Sequence, residues 1–261
     1  MRELTSPQNP EIKAVARLKE RRDREREGRF LVEGTRELQR AVRGGVALET
    51  VYVCEALLRP EGREFAATLS VPTVRVSPDA FAKLSVRENP DGLIGVAPAR
   101  ATSTPSLPRD ALVLVLVGLE KPGNLGALLR TADGVGVDLV LLAGRGVDLH
   151  NPNVIRASQG SVFTVPTAVM TDDEALAFLG AQSVRAFALT PEADDVYWRA
   201  DLTGRAALVL GTEHEGLPPR WKAAATRGLS IPMRGEADSL NVATAGALVL
   251  YEALRQRSTR S

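Results

Sequence analysis

Ala111-Leu-Val-Leu-Val-Leu-Val-Gly118 is the stretch that most narrows what this chain can fold into. A nearly continuous run of valine and leucine, without the polar alternation of a half-exposed strand, marks a strand buried on both faces of a parallel sheet. A glycine-containing loop follows, then a helix to about Gly136 and a second apolar strand at Leu139–Ala143. Further strands are expected near Phe163–Val165, Arg185–Leu189, Ala206–Gly211 and Leu229–Ile231. Strands separated by helix-length segments predict an α/β fold, a parallel sheet covered by helices on both sides.

Upstream, Ala97-Pro-Ala-Arg-Ala-Thr-Ser-Thr-Pro-Ser-Leu-Pro-Arg109 has linker composition, rich in Pro, Ser and Thr and poor in large apolar residues. It divides the 261 residues into an N-terminal domain, 1–97, a linker, 98–109, and a C-terminal domain, 110–261. The N-terminal part carries a helical run with Ile12, Val15, Ala16 and Leu18 on one face, then a strand at Phe30–Glu33 leading into Gly34. A helix with Leu38, Ala41 and Val42 ends at Gly44-Gly45. Val51–Cys54 and Val71–Val76 read as strands, and Pro72 predicts a sheet edge for the second. A short helix at Phe81–Ser85 precedes a strand at Gly92–Ala97. These elements predict a smaller α/β sandwich.

Composition excludes more than it selects. Hydrophobic content of 44% with 25% charged residues is that of an ordinary globular chain, and a net charge of +1 carries no argument for nucleic acid. Charge is concentrated only at residues 13–29, where eight basic side chains stand against four acids. That run reads equally as a phosphate footprint and as a solvated helix face laced with ion pairs. Cys54 is the one cysteine, which leaves no internal disulfide and no paired-cysteine metal knuckle. His150 and His214 lack ligand spacing, so no metal is expected. No apolar leader follows Met1 and no run approaches the roughly 18 residues that span a bilayer, which points to a cytoplasmic protein without a membrane partner.

Three loops carry the chemistry. In Glu120-Lys-Pro-Gly-Asn-Leu-Gly-Ala-Leu-Leu-Arg130, Gly123 and Gly126 suit a tight strand-to-helix turn. A helix starting near Leu125 would offer free N–H groups, and Arg130 about one and a half turns in could hold a phosphate with its planar fork of donors. A dinucleotide-binding loop is the competitor, but the spacing is Gly-Xaa-Xaa-Gly, and the next strand runs into Gly144-Arg145 with no ribose-binding acid. Gly211-Thr-Glu-His-Glu-Gly216 follows a buried strand; Glu213 and Glu215 could equally be solvent-facing turn acids. Ile231-Pro-Met233 through Ser239-Leu-Asn241 enters an apolar C-terminal helix, where Ser239 or Asn241 would serve as an ordinary cap. Leu248, Leu250 and Leu254 of that helix suit core or dimer packing.

Together the three loops resemble the motifs of the SpoU (TrmH-like) branch of the SPOUT RNA methyltransferases. Asn124 and Arg130 match the first motif, Gly211–Gly216 the second, and Ile231–Met233 with Ser239–Asn241 the third. Asn153-Val-Ile-Arg-Ala-Ser-Gln-Gly160 also resembles the family, and Arg156 within it is either an RNA contact or a plain surface arginine. Arg29-Phe-Leu-Val-Glu-Gly34 and Asn89-Pro-Asp-Gly-Leu-Ile94 resemble the L30e-like substrate-binding domain that precedes many such catalytic domains.

The resemblance implies a SPOUT fold with a C-terminal trefoil knot, an exception to usual chain topology. It implies S-adenosylmethionine as cofactor, held by Leu210, Gly211, Ile231, Met233 and Leu240, and a homodimer through the knot region. The reaction implied is methyl transfer to a ribose 2′-hydroxyl of structured RNA. Arg130 would grip the target phosphate, Asn124, Ser239 and Asn241 would orient ribose and donor, and Glu213 would fix the loop. 23S ribosomal RNA is the favoured substrate, in housekeeping modification or in protection against an antibiotic. A tRNA substrate, or a non-catalytic RNA-binding or assembly protein on the same fold, are the alternatives.

Overall fold

The computed structural model describes residues 2–99, 104–146, 148–212 and 215–259. The chain opens with β1 (Arg2–Leu4), α1 (Pro10–Arg17), α2 (Arg21–Glu27), β2 (Arg29–Glu33) and α3 (Thr35–Arg43). β3 (Thr50–Val53), α4 (Pro60–Thr68), β4 (Thr73–Val76), α5 (Pro78–Leu84) and β5 (Leu93–Pro98) follow. Then come β6 (Leu112–Val117), α6 (Pro122–Val135), β7 (Leu139–Ala143), α7 (Pro152–Ala157), β8 (Thr167–Met170) and α8 (Asp172–Ala181). β9 (Arg185–Leu189), β10 (Ala206–Leu210), α9 (Pro219–Ala224), β11 (Arg227–Leu229) and α10 (Val242–Ser258) complete it. By contacts the chain forms two compact units, Met1–Ala101 with Asp148–Thr164, and Thr102–Val147 with Val165–Ser261.

The first unit is a five-stranded sheet in the order β1-β4-β3-β5-β2. Period-two alternation sends Leu31, Tyr52, Val74, Val76, Ile94 and Val96 to one face, against Ile12 and Val15 of α1 and Phe81 and Leu84 of α5. Phe30, Val32, Val51, Val53 and Leu93 go to the other, against Leu38 and Ala41 of α3. Val42 faces solvent instead of joining them. The expected sandwich is therefore present, with two departures. β4 is an interior strand, because β1 pairs along its far side. Pro72 precedes the strand and only accepts, its carbonyl taking the Val51 N–H, so its missing donor costs the sheet nothing.

Residues 148–164 pack into this unit although their sequence position is inside the C-terminal half. Ile155 is buried in the α3-side core, and the Phe30 ring lies 4.3 Å from His150 and 6.0 Å from Phe163. Arg24 donates to Asp148 and to the carbonyls of Leu18 and Lys19, which makes it a structural arginine. Phe163 lies in a 3₁₀ turn, Ser161–Phe163, entered through Gly160 at φ 86°, so the strand expected at Phe163–Val165 begins instead at Thr167. Much of the basic run at 13–29 is ion-paired: Arg21 with Glu25, Arg26 with Asp23 and Glu27, Arg29 with Glu27 and Glu49. The interleaved-pair reading thus accounts for three of the eight basic side chains, and Arg24 pairs with Asp148.

The two segments likened to a substrate-binding domain meet at one end of this sheet. Arg87 donates to the Glu33 carbonyl and pairs with Glu37 at 2.9 Å, while Asp91 accepts from the Thr35 N–H at 2.7 Å. Burial pushes the Glu33 carboxyl above its ordinary value against the opposing pull of the Ser85 hydroxyl and the Val86 N–H.

In the second unit six strands run parallel in the order β11-β9-β10-β6-β7-β8. β6 lies at its centre, as an all-apolar strand must. Its valines face a core with Ala175 and Leu179 of α8 and Trp221 of α9, and alternation turns its leucines to the opposite face. There α10 packs on β10 and α6 so closely that a Cβ on Gly246 would stand 2.5 Å from Leu128 and 3.1 Å from Leu210. Helices thus cover both faces. α8 begins with a reciprocal capping box between Thr171 and Glu174.

Candidate active site

A cleft of about 510 Å³ opens where β9, β10 and β11 end. Open parallel sheets present ligand sites at the carboxyl ends of their strands, where loops diverge and no ladder partner is needed. The strand ends Leu189, Leu210 and Leu229 all line it. β11 stops two residues short of the expected Ile231, which leaves Ile231 free to form part of the wall.

Each of the three predicted cofactor-site segments reaches this cleft. Leu210, Gly211, Ile231, Met233, Ser239 and Leu240 are all in its lining. The second loop is a tight turn. Thr212 and Gly216 exchange N–H···O bonds at 3.1 Å, and the Thr212 hydroxyl accepts from the Glu215 N–H at 3.0 Å. Gly216 sits at φ 65° and makes the reversal. A Cβ on Gly211 would lie 2.2 Å from the Gly216 oxygen and 2.6 Å from the Leu217 nitrogen, so only glycine lets the two backbones meet. Glu213 and His214 lie outside the described residues. The cleft therefore combines apolar walls with strand-end and turn backbone, which suits a planar heteroaromatic ring read by backbone groups.

Beside it, Asn124 and Asn241 are brought together from 117 positions apart in sequence, Asn241 Nδ2 donating to Asn124 Oδ1 at 3.2 Å. Asn241 is also the cap of α10, its Oδ1 accepting from the Ala243 N–H at 3.0 Å. The capping reading was right, and the same bond fixes which end of the amide turns to Asn124.

The first loop departs from expectation. α6 begins at Pro122, so Gly123 and Gly126 are helical and neither has positive φ; the turn is made by Gly118, at φ 65°. Arg130 is consequently more than two turns into α6, and six residues from Asn124 put it about 9 Å along the axis and roughly 120° around. It is exposed, and among the described residues it makes no ion pair or hydrogen bond and does not line the cleft. Arg156 is likewise exposed, on α7.

Comparison with known proteins gives the arrangement its family. Residues 111–251 match the SpoU rRNA Methylase family, more than half of the chain. The chain belongs to the SpoU rRNA methylase family. Residues 9–95 of this SpoU protein match the MRM3-like substrate binding domain. It is 31% identical over 252 residues to a 23S rRNA (uridine(2479)-2'-O)-methyltransferase of Streptomyces viridochromogenes, with 93% of this chain and 88% of that protein covered. A solved structure of an RNA 2'-O ribose methyltransferase matches at TM-score 0.88 and 48% identity, over 97% of this chain and 98% of the other. The SpoU methyltransferase AviRb of Streptomyces viridochromogenes, in complex with AdoMet, matches at TM-score 0.90 and 29% identity, covering 97% and 99%. The fold is therefore of the SPOUT methyltransferase type.

Sequence reasoning passed over part of this cleft. Thr190, Pro191 and Glu192 at the end of β9, Lys222 on α9, and Asp238 also line the cleft. The carboxyl-end rule applied to the strand at Arg185–Leu189 would have found the first three. No group of three His, Cys, Asp or Glu side chains able to hold a metal occurs among the described residues, and no helix there is long and apolar enough to cross a membrane.

Proposed function

We propose that the protein transfers the methyl group of S-adenosylmethionine to a ribose 2′-hydroxyl of 23S ribosomal RNA, a reaction of the cytoplasm. The observation that carries this reading is the cleft at the ends of β9, β10 and β11 with the Asn124–Asn241 pair beside it. Its volume falls in the range of small-molecule cofactor sites, about 300–1,000 Å³. The apolar side chains of Leu210, Ile231 and Leu240 would enclose the adenine, and backbone groups at the Gly211 turn would pair its edge. The threading of the Gly211 turn and the Ile231–Asn241 loop as a trefoil knot belongs to this reading.

When bound, S-adenosylmethionine supplies an activated methyl group on a sulfonium. The protein's task is the acceptor. A ribose hydroxyl is a weak nucleophile, and none of the described residues at the cleft is a histidine base. Arg130 stays protonated, so it cannot take the proton. It grips the phosphate beside the target ribose and polarises the hydroxyl, and the proton passes to that phosphate as the methyl is transferred. Asn124, Ser239 and Asn241 orient the ribose and the methyl donor, and Glu213 holds the second loop.

The exposed position of Arg130, away from its own cleft, supports a reading in which a second copy of the chain completes the site. Arg130 and Gly134 share a face of α6. A Cβ on Gly134 would lie 3.4 Å from the Tyr251 hydroxyl, so that face adjoins the exposed side of α10, where Leu248 and Tyr251 are 40% and 54% exposed. A homodimer formed on Leu248 and Tyr251 would cover this apolar surface and deliver Arg130 to the partner's cleft. Leu248→Asp, which places a charge there, is expected to give monomers by sedimentation velocity and to lose turnover. A monomeric native protein with full turnover contradicts the dimer. The cofactor reading is tested by calorimetry: native protein is expected to bind S-adenosylmethionine at one site per chain, and no heat of binding would refute it.

A further inference from the structure

One cation, Lys222, lines the cleft among the described residues, beside three acids, Glu192, Glu215 and Asp238. Lys222 Nζ lies 3.3 Å from Glu192 Oε2, joining α9 to the loop after β9 across the cleft. α9 is firmly seated beneath it. The Trp221 indole is buried and donates to Asp172 at 3.0 Å, and Arg220 pairs with Asp172 and with Asp173. The helix thus holds the root of Lys222 fixed and leaves its ammonium free to change partners. Glu192 and Lys222 are 71% and 43% exposed, so solvent screens the pair and exchanging that partner costs little. The Thr190 hydroxyl, ahead of Lys222, holds the Glu192 carboxyl below the ordinary carboxylate range.

The ligand of the proposed function carries a single anionic group, the α-carboxylate of its methionine part, with a sulfonium and an ammonium as its cations. Apolar walls and backbone can read the adenine, whereas a carboxylate is best met by a charge-assisted donor, and Lys222 is the one cation that lines the cleft among the described residues. We infer that Lys222 is a specificity-determining residue of the cofactor site, leaving Glu192 to take the α-carboxylate of S-adenosylmethionine. The assignment rests on the cofactor reading above. It makes the amino-acid end of the ligand a recognised feature, and it anchors the end of the molecule remote from adenine.

Calorimetry with three ligands tests it, S-adenosylmethionine, S-adenosylhomocysteine and 5′-methylthioadenosine, the last keeping adenosine and sulfur but lacking the amino-acid end. Lys222→Gln is expected to weaken the first two by roughly tenfold or more, the loss of a charge-assisted hydrogen bond, and to leave the third unchanged. Glu192→Gln, which releases Lys222 without removing it, is expected to bind S-adenosylmethionine more tightly than native protein, and weaker binding would overturn the assignment. Equal weakening of all three ligands by Lys222→Gln would make Lys222 a structural part of the wall and overturn the assignment. Unchanged S-adenosylmethionine binding with weakened RNA binding would overturn it in favour of a phosphate contact. Native protein that binds none of the three defeats the cofactor reading itself, and this assignment with it.

Discussion

Arg130→Ala is expected to lower methyl transfer roughly 10²- to 10³-fold, the cost of removing one preorganised donor to developing charge. Cofactor affinity and thermal stability should stay at native values. Both halves follow from the position of the side chain. Arg130 is exposed on α6, without an ion pair or hydrogen bond among the described residues, so its loss removes no folding contact. It does not line the cleft, so its loss removes no wall from the cofactor site. What remains is the acceptor RNA. Arg130→Lys should recover only part of the activity, because a point charge replaces a planar fork of donors. Calorimetry and single-turnover transfer on the same preparations separate the effects. Native turnover in Arg130→Ala would sink the assignment, and loss of cofactor binding would move Arg130 into the cofactor site.

The second large effect is expected at Gly211. An added methyl would stand 2.2 Å from one backbone oxygen and 2.6 Å from a backbone nitrogen, and neither can swing aside as a side chain can. The Thr212–Gly216 turn must open to admit it, which moves the backbone groups assigned to adenine. Gly211→Ala is therefore expected to weaken S-adenosylmethionine roughly ten- to hundredfold, in line with the ~1–3 kcal/mol that overpacking costs. Gly216→Ala is the control. Its φ of 65° strains an alanine, yet nothing lies within 4 Å of the added carbon. Its penalty should be conformational, about 1 kcal/mol, and smaller in cofactor affinity. Equal affinity in Gly211→Ala and native protein would show that the turn does not form the adenine wall.

How far the sequence could be read depended on how local each signal was. The central strand at Leu112–Val117 was legible because six consecutive apolar residues leave no exposed face. Leu210, Gly211, Ile231, Met233, Ser239 and Leu240 were legible through motif resemblance, and they converge on one cleft. β1 was not, since Arg2–Leu4 is three residues long and mostly exposed. Pro72 misled because a proline just before a strand looks like one within it. The start of α6 was placed late, since Gly123 reads as a turn residue although Pro122 is a favoured first helical position. That error also placed Arg130 too near the helix N-terminus. The packing of residues 148–164 against the N-terminal sheet rests on pairs such as Arg24–Asp148, which no local pattern announces. Lys222 escaped notice for the same reason, because its meaning depends on Glu192, 30 residues earlier.

The most direct test of the account is transfer of tritiated methyl from S-adenosylmethionine to undermethylated ribosomal RNA and to tRNA, with any mark mapped to its nucleotide. The account predicts label in 23S ribosomal RNA at a single ribose 2′-oxygen, dependent on Arg130. Label confined to tRNA would keep the chemistry and contradict the substrate. No label in either RNA, with no cofactor bound, would contradict the enzyme itself.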